Sequence, residues 1–553
     1  MKMGPNRCIP YFPAFAAALA GIALIAPGRA HGAPLPAPTA PPVATCPALL
    51  QADFNGVLDA PTRLSQARLI AAQADTPGYC EVIGQVAPSV GFVLRLPADH
   101  WNGKFFQEGC GGFCGGYNLE VKAGPYGFLG PLRRGYAHLV FDGGHVASPM
   151  EARWAQDNLQ AQFDFGVRAP HVAALAGKVI VAHYYRRPPR HSYFAGCSSG
   201  GQQALSQAQR FPWDFDGILV GAPSPTFSGP MLNYLWAGRA LAGKVSEADL
   251  QRVHAHAVAQ CDMDDGIKDG IIGNPTHCRA DPADLQCRPG QASACLSAVQ
   301  VAAVGQVYAG PTTSSGERIY TGGPLRGSEL NWIRSDGATA YVDAAGNIAP
   351  WSREYFAHAG FMPAPGAGWQ VADFDFDRDY KRLRLAESLF GAADNPDLRR
   401  FKAAGGKMIM YQGLQDESDI PADAIDYYQT VQRTMGGPEA TRSFFRFFAV
   451  PGMNHCFGGP GAYAIDYLAY LEAWVEQGQA PQKMIGAHIA DLTPERMRQL
   501  TFPLDPAIPV QFTRPVYPYP LRAHYLGHGD PDAADSFGPV APDDADAGSA
   551  RDR

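Results

Sequence analysis

At 553 residues the chain exceeds an ordinary domain of ~100–200 residues, which predicts one large domain with an insertion, or two domains. Hydrophobic residues make up 46% and charged residues 18%, a globular balance that argues against a disordered or repetitive chain. Net charge is -7 with both signs mixed along most of the length, so no basic footprint for nucleic acid is visible and a small partner is expected.

Lys2 and Arg7, an apolar stretch from Tyr11 to Ile25 and the small residues Gly28, Ala30 and Ala33 have the layout of a secretory signal peptide over 1–33. The stretch is shorter than the ~20 residues needed to span a bilayer, and no later segment reads as long enough, so no membrane partner is expected. A Pro/Ala-rich linker follows over 34–45. Cys8 precedes the apolar run and leaves with it; ten cysteines remain, an even number that predicts disulfides in an exported chain. No asparagine begins a usable glycosylation sequon, since Asn274 precedes proline, which points to a secreted or periplasmic bacterial protein.

From 46 to 222 short apolar runs alternate with amphipathic ones. Gly91–Leu96, Lys104–Phe106, Tyr136–Phe141, Tyr193–Ala195 and Ile218–Val220 are predicted strands, rich in Val, Ile, Leu, Phe and Tyr. Strand and helix signals in alternation predict a largely parallel sheet covered on both faces, an α/β fold. Between 223 and 395 the composition shifts to Gly, Pro and Asp with a cluster of four cysteines, and this stretch reads as an inserted cap, or lid. The sheet is expected to resume over 396–527 with Met408–Tyr411 and Phe444–Val450. A helix over Tyr463–Gln477 follows, with Leu468, Leu471 and Val475 on one face and Gly478 and Pro481 ending it. The acidic, apolar-poor residues 528–553 read as a disordered tail.

The run Tyr193-Phe-Ala-Gly-Cys-Ser-Ser-Gly-Gly201 sets Gly196, Ser198 and Gly200 in a G-x-S-x-G pattern after a strand and before a helix-like stretch. A serine at such a corner needs small neighbours, projects its hydroxyl above the sheet, and leaves the amide of Ser199 to bind an oxyanion. A histidine base and an orienting acid must then follow downstream. Asp416 lies just past Met408–Tyr411, with Asp419 and Asp423 as competitors. His455 sits in the glycine-flanked loop Pro451–Gly459, with Cys456 beside it as Cys197 is beside Ser198. A second glycine loop, Gln107-Glu-Gly-Cys-Gly-Gly-Phe-Cys-Gly-Gly116, is suited to supply a further oxyanion amide, from Gly111 or Gly112, or is merely a turn stapled by Cys110 and Cys114. In Cys261-Asp-Met-Asp-Asp-Gly-Ile-Lys-Asp-Gly-Ile271, Asp262, Asp265 and Asp269 with the carbonyls of Ile267 and Ile271 form an oxygen-rich set that suits Ca²⁺, although aspartates capping metal-free turns give the same spacing.

Taken together, Asp164-Phe-Gly-Val-Arg, the block from Arg187 to Gly201, Asp214-Phe-Asp-Gly-Ile218, Gly221-Ala-Pro223, Cys261–Ile272, Tyr411-Gln-Gly413 and Gly452-Met-Asn-His-Cys456 resemble the tannase and feruloyl esterase family over about 101–520. The resemblance implies an α/β-hydrolase fold with a large lid, a Ser198–His455–Asp416 triad acting through an acyl-enzyme, and a structural Ca²⁺ in the lid at Asp262, Asp265, Ile267, Asp269 and Ile271. It also implies disulfides Cys197–Cys456, Cys46–Cys80, Cys261–Cys278 and Cys287–Cys295; a Cys110–Cys114 bond rests on proximity alone. After Asp416 the chain is one residue longer before Ile420-Pro421 than the family pattern, which keeps Asp419 open as the acid. The expected substrates are small aromatic esters of feruloyl, galloyl or terephthalate-monoester type. The cap aromatics Trp332, Trp351, Tyr355, Phe356, Phe361 and Trp369 are candidates to stack on the acyl group, and Arg334 or Arg353 to meet a substrate carboxylate. A noncatalytic binding protein, a serine acyltransferase and a peptidase are the rival readings on the same fold.

Overall fold

The computed structural model describes residues 45–73, 76–117, 130–291, 293–334, 340–383, 387, 392–490, 493, 500 and 502–542. The expected leader and all but the last residue of the linker lie outside them. Nine strands form one mixed sheet: β1 (Thr62–Ile70), β2 (Tyr79–Val86), β3 (Val90–Pro97), β4 (Lys104–Glu108), β5 (Ala137–Phe141), β6 (His191–Cys197), β7 (Gly217–Gly221), β8 (Lys407–Gly413) and β9 (Phe445–Val450). Their order is β1-β2-β3-β5-β4-β6-β7-β8-β9. The six from β5 to β9 run parallel, and β1–β3 form an antiparallel meander added at the β5 edge.

The parallel strands are buried on both faces, as continuous apolar runs such as Ile218–Val220 require. One face is covered by α1 (Ala169–Tyr185) and α2 (Ser199–Arg210), whose Val172, Ile180, Ala204 and Leu205 share a core with Phe105, Leu139 and Phe194. On the other face α3 (Tyr467–Gln477) lays Leu468 and Leu471 against Tyr193, Leu219 and Ile409. This helix begins four residues later than its hydrophobic spacing suggests, because the Asp466 side chain accepts from the Ala469 amide and sets the cap there. Gly478, left-handed at φ 70°, closes it as expected.

Two expectations are corrected. Residues Leu159–Tyr185 are long and apolar enough to cross a membrane, although no segment after the leader reads that way; Gln160, Asp164 and Arg168 interrupt the run in sequence, and 67% of its most apolar window is buried in the protein. The acidic tail does not begin at 528: Phe537–Val540 pairs antiparallel with Arg522–Tyr525, Phe537 is buried, and its ring meets Tyr525 edge-on. One buried ring anchors this ribbon, so composition alone does not reveal it. Residues 543–553 lie outside the described ones.

The stretch read as a cap contains the helices Ser228–Leu241, Glu247–Cys261, Ala298–Ala309 and Pro350–His358 around a core of its own, including Leu235, Leu250, Val304, Tyr341 and Phe356. Phe113, Ala152 and Phe165, from before β6, join that core. The second glycine loop is therefore held by the cap as well as by the sheet.

Candidate active site

Ser198 occupies the corner between β6 and α2 at φ 62° and ψ −126°, a region that side chains other than glycine rarely adopt. The turn is tight enough that a Cβ on Gly196 would stand 2.3 Å from the Gly200 carbonyl oxygen, so the glycine before the serine is required sterically. The Ser198 amide donates to the Gly221 carbonyl at 3.1 Å, which ties the corner to β7.

Asp416 follows β8 and is fully buried. Its Oδ1 accepts from the amides of Ser418 and Asp419, both at 2.9 Å, and its Oδ2 accepts from Gln412 Nε2 at 2.9 Å. Four donors therefore hold the carboxylate, because His455 Nδ1 also lies 2.9 Å from Oδ2 and 3.1 Å from Oδ1. Asp419 is farther from the same nitrogen, 3.7 Å, and pairs instead with the Ser224 hydroxyl. Two carboxylates thus stand beside the imidazole, Asp416 within hydrogen-bond distance and Asp419 beyond it. Asp423 lies elsewhere, accepting from the Tyr320 hydroxyl at 3.0 Å.

Burial opposes a charge on His455, yet Asp416, Asp419 and Glu417 outweigh it and hold the imidazole well above its ordinary range. Asp419 is pushed up to about 6, chiefly by burial and secondarily by Asp416, while His455 and hydrogen bonds from Ser224 and Ser198 pull it down. The Cys197–Cys456 disulfide joins the two loops with Cα atoms 5.9 Å apart, across 259 residues of chain. Cys46–Cys80, Cys110–Cys114, Cys261–Cys278 and Cys287–Cys295 are bonded as well.

Ser198, Ser199, Asp419 and His455 open onto one cavity of about 460 Å³ that also exposes Gly111 and Gly112. Its wall is largely apolar: Pro149, Met150, Phe227, Pro230, Met231 and Trp351, with Tyr117, Tyr234, Ser224 and Ser418 as polar points. Of the six cap aromatics singled out in the sequence only Trp351 lines this cavity, its ring tilted by 43° against Phe113 at 4.6 Å between centroids. Trp332, Tyr355, Phe356, Phe361 and Trp369 are buried in the cap core, and Arg334 and Arg353 are not among the lining residues. Sequence reading missed Met150, Phe227, Met231 and Tyr234; they come from separate segments and share no spacing that would have flagged them.

Main-chain donors can be accounted for along the second glycine loop. Gly109 donates to Ala195 O (2.8 Å), Cys110 to Gln203 Oε1 (3.2 Å), Phe113 to Pro149 O (2.8 Å), Cys114 to Gly111 O (3.0 Å) and Gly115 to Asp142 O (2.9 Å). Among the described residues no partner takes the amides of Gly111 and Gly112, and both residues face the cavity. Ser199, first residue of α2, has no carbonyl one turn before it to bond, so its amide is left for a ligand.

In the cap loop Asp262 Oδ1 accepts from the amides of Asp269 (3.2 Å) and Gly270 (3.0 Å), Asp265 Oδ1 from Ile267 (3.3 Å) and Asp269 Oδ1 from Ile271 (3.0 Å). Arg514 Nη2 meets Asp269 Oδ2 at 2.9 Å. Among the described residues no group of three or more Asp, Glu, His or Cys side chains is placed to hold a metal ion. Burial first, then Asp269 and Asp262, push Asp265 up to about 7, while the Arg514 guanidinium pulls it down.

A nine-stranded α/β sheet with a serine elbow, and an imidazole paired with a buried acid that lines the same apolar cavity as the serine, define an ester hydrolase of the α/β-hydrolase fold. Solved structures share that fold: feruloyl esterase B from Aspergillus oryzae superposes with a TM-score of 0.75 at 24% identity, covering 90% of this chain and 100% of that one. The tannin acyl hydrolase of Aspergillus niger gives 0.70 at 19% identity, covering 90% and 94%. By sequence the chain is 35% identical over 507 residues to an uncharacterized esterase of Xanthomonas campestris, covering 83% of this chain and 84% of the relative. It is 33% identical over 541 residues to the mono(2-hydroxyethyl) terephthalate hydrolase of Piscinibacter sakaiensis, covering 85% and 86%. Residues 74–540 match the family model described as tannase and feruloyl esterase, and the chain belongs to that family.

Proposed function

We propose that the chain hydrolyses esters of aromatic acids, of feruloyl, galloyl or terephthalate-monoester type, through Ser198, His455 and Asp416. The supporting observation is convergence: a strained serine, an imidazole paired with a buried carboxylate, and unpartnered amides of Gly111, Gly112 and Ser199 share one apolar cavity. Asp416 fixes the tautomer with the proton on Nδ1, which leaves Nε2 to take the Ser198 proton as the hydroxyl attacks the ester carbonyl. The amides of Ser199 and Gly111 meet the oxygen that becomes negative. His455 then returns the proton to the leaving alcohol, and water repeats the sequence on the acyl-enzyme. The apolar wall with Trp351 suits a flat acyl ring, and its hydroxyl-bearing points suit ring substituents.

Five disulfides support an oxidising compartment, so the reading includes export to the periplasm or medium of a bacterium. Asp262, Asp265 and Asp269 with the carbonyls of Ile267 and Ile271 would hold Ca²⁺, whose charge stiffens the cap loop and takes no part in the bond cleavage.

The test compares purified protein on methyl ferulate, methyl gallate and mono(2-hydroxyethyl) terephthalate. Turnover of at least one, abolished in Ser198→Ala, is expected; no turnover of any, or activity surviving in the variant, contradicts the reading.

A further inference from the structure

Among the described residues Cys110 and Cys114 are the bonded cysteines that line the cavity, and nothing in the chemistry above uses their bond. It closes a ring of only five residues, with Gly111 and Gly112 inside. Loop-closure entropy grows with loop length, so this bond restrains the unfolded chain far less than the 259-residue closure does; its effect belongs to the folded state. Glycines carry the largest conformational freedom of any residue, and free donors on a glycine turn present themselves to an oxyanion only if something fixes the turn.

That fixing is visible. Gln203, 2% exposed on α2 one turn past Ser199, accepts from the Cys110 amide at 3.2 Å. Its Nε2 faces both sulfurs, 3.2 Å from Cys110 Sγ and 3.5 Å from Cys114 Sγ. The Cys110 carbonyl oxygen would stand 3.2 Å from a Cβ on Gly200, so the loop lies directly on the elbow. On its far side the Phe113 carbonyl lies 2.8 Å from His145 Nε2, and a Cβ on Gly112 would meet the Pro149 carbonyl at 2.5 Å. The ring is thus gripped from the nucleophile helix on one side and from the 142–150 loop on the other.

We propose that the Cys110–Cys114 disulfide and Gln203 together are a positioning device, which holds the amides of Gly111 and Gly112 in register with Ser198 for the charged intermediate. The inference rests on the ester-hydrolase reading of this site. Its weight falls on the transition state rather than on substrate binding, because the carbonyl oxygen gains its charge only there.

The experiment compares wild type with Cys110→Ser/Cys114→Ser and with Gln203→Leu on p-nitrophenyl acetate, together with thermal midpoints and the rate of inactivation by an organophosphonate. Both variants are expected to lose about tenfold or more in kcat, with KM within about twofold and inactivation slowed in parallel, while the midpoints stay near wild type. A kcat within twofold of wild type in both folded variants overturns the proposal. Should the double serine variant fail to fold, Gln203→Leu decides alone: lowered kcat at an unchanged midpoint supports the device, and unchanged kcat refutes it. An inactive wild type would instead refute the hydrolase reading itself, a separate outcome.

Discussion

The C-terminal ends of the central strands and the cap meet at the same cavity but are built on different principles. At the strand ends each side chain of the candidate site is firmly held: Asp416 by four hydrogen-bond donors, Ser198 by a strained corner, His455 by a disulfide beside it. The cap contributes apolar surfaces, Phe227, Met231 and Trp351, from helices whose main business is their own core. The difference teaches that bond cleavage should depend on single atoms at the strand ends, whereas substrate choice should depend on the summed shape of the cap, and each can be altered without the other.

The sharpest break in that division is Ser198→Ala, expected to lower kcat by about a thousandfold or more on every ester while leaving the fold intact, as read by circular dichroism. Asp416→Asn should follow with about a hundredfold to ten-thousandfold loss, since the amide can present the wrong partner to Nδ1 and favour the wrong tautomer; KM on the same ester should hardly move. A cap variant must behave differently. Trp351→Ala is expected to raise KM for aromatic-acid esters about tenfold with little change for p-nitrophenyl acetate, and a uniform loss on both would collapse the distinction.

Smaller effects sharpen the picture. Chelation by EGTA should lower the thermal midpoint by about 5 °C without changing kcat at room temperature, and calcium should bind more tightly as pH rises through about 7, where Asp265 loses its proton. Smallest is Asp419→Asn. Activity needs neutral His455, so kcat/KM rises as pH climbs through the imidazole pKa, which the neighbouring carboxylates hold high. Removing one of them lets the proton leave more easily, and the rising limb should move to lower pH by about half a unit to one unit. A shift the other way would mean that Asp419 does not act through His455.

How much of this could be read from residues alone follows the range of the interactions involved. The elbow is local: strand, glycine, serine, glycine and helix lie within a dozen residues, and β6, Ser198 and α2 occur where that spacing puts them. The continuous apolar strands of the parallel sheet were legible for the same reason, although β1, half-polar at the sheet's edge, and β2, interrupted by Glu81 and Gln85, were not. The preference for Asp416 over Asp419 is a matter of under 1 Å at His455 Nδ1, which no spacing rule resolves. The cavity wall was illegible because its members are far apart in sequence, and five of six cap aromatics turned out to be core. Aromatic residues satisfy a core as readily as a ligand, so composition could not separate the two uses. Gln203 escaped notice because a glutamine on a buried helix carries no signature until its partners are seen.

The claim on which the rest depends is that Ser198 and His455 work together at one carbonyl. Treating the mature protein with a p-nitrophenyl organophosphonate, digesting it without reduction and sequencing the labelled fragment by mass spectrometry tests it directly. The account predicts one phosphonyl group on Ser198, in a peptide still joined through Cys197–Cys456 to the peptide bearing His455. A label on another residue, no label in a protein that hydrolyses esters, or those two cysteines joined to other partners would contradict it.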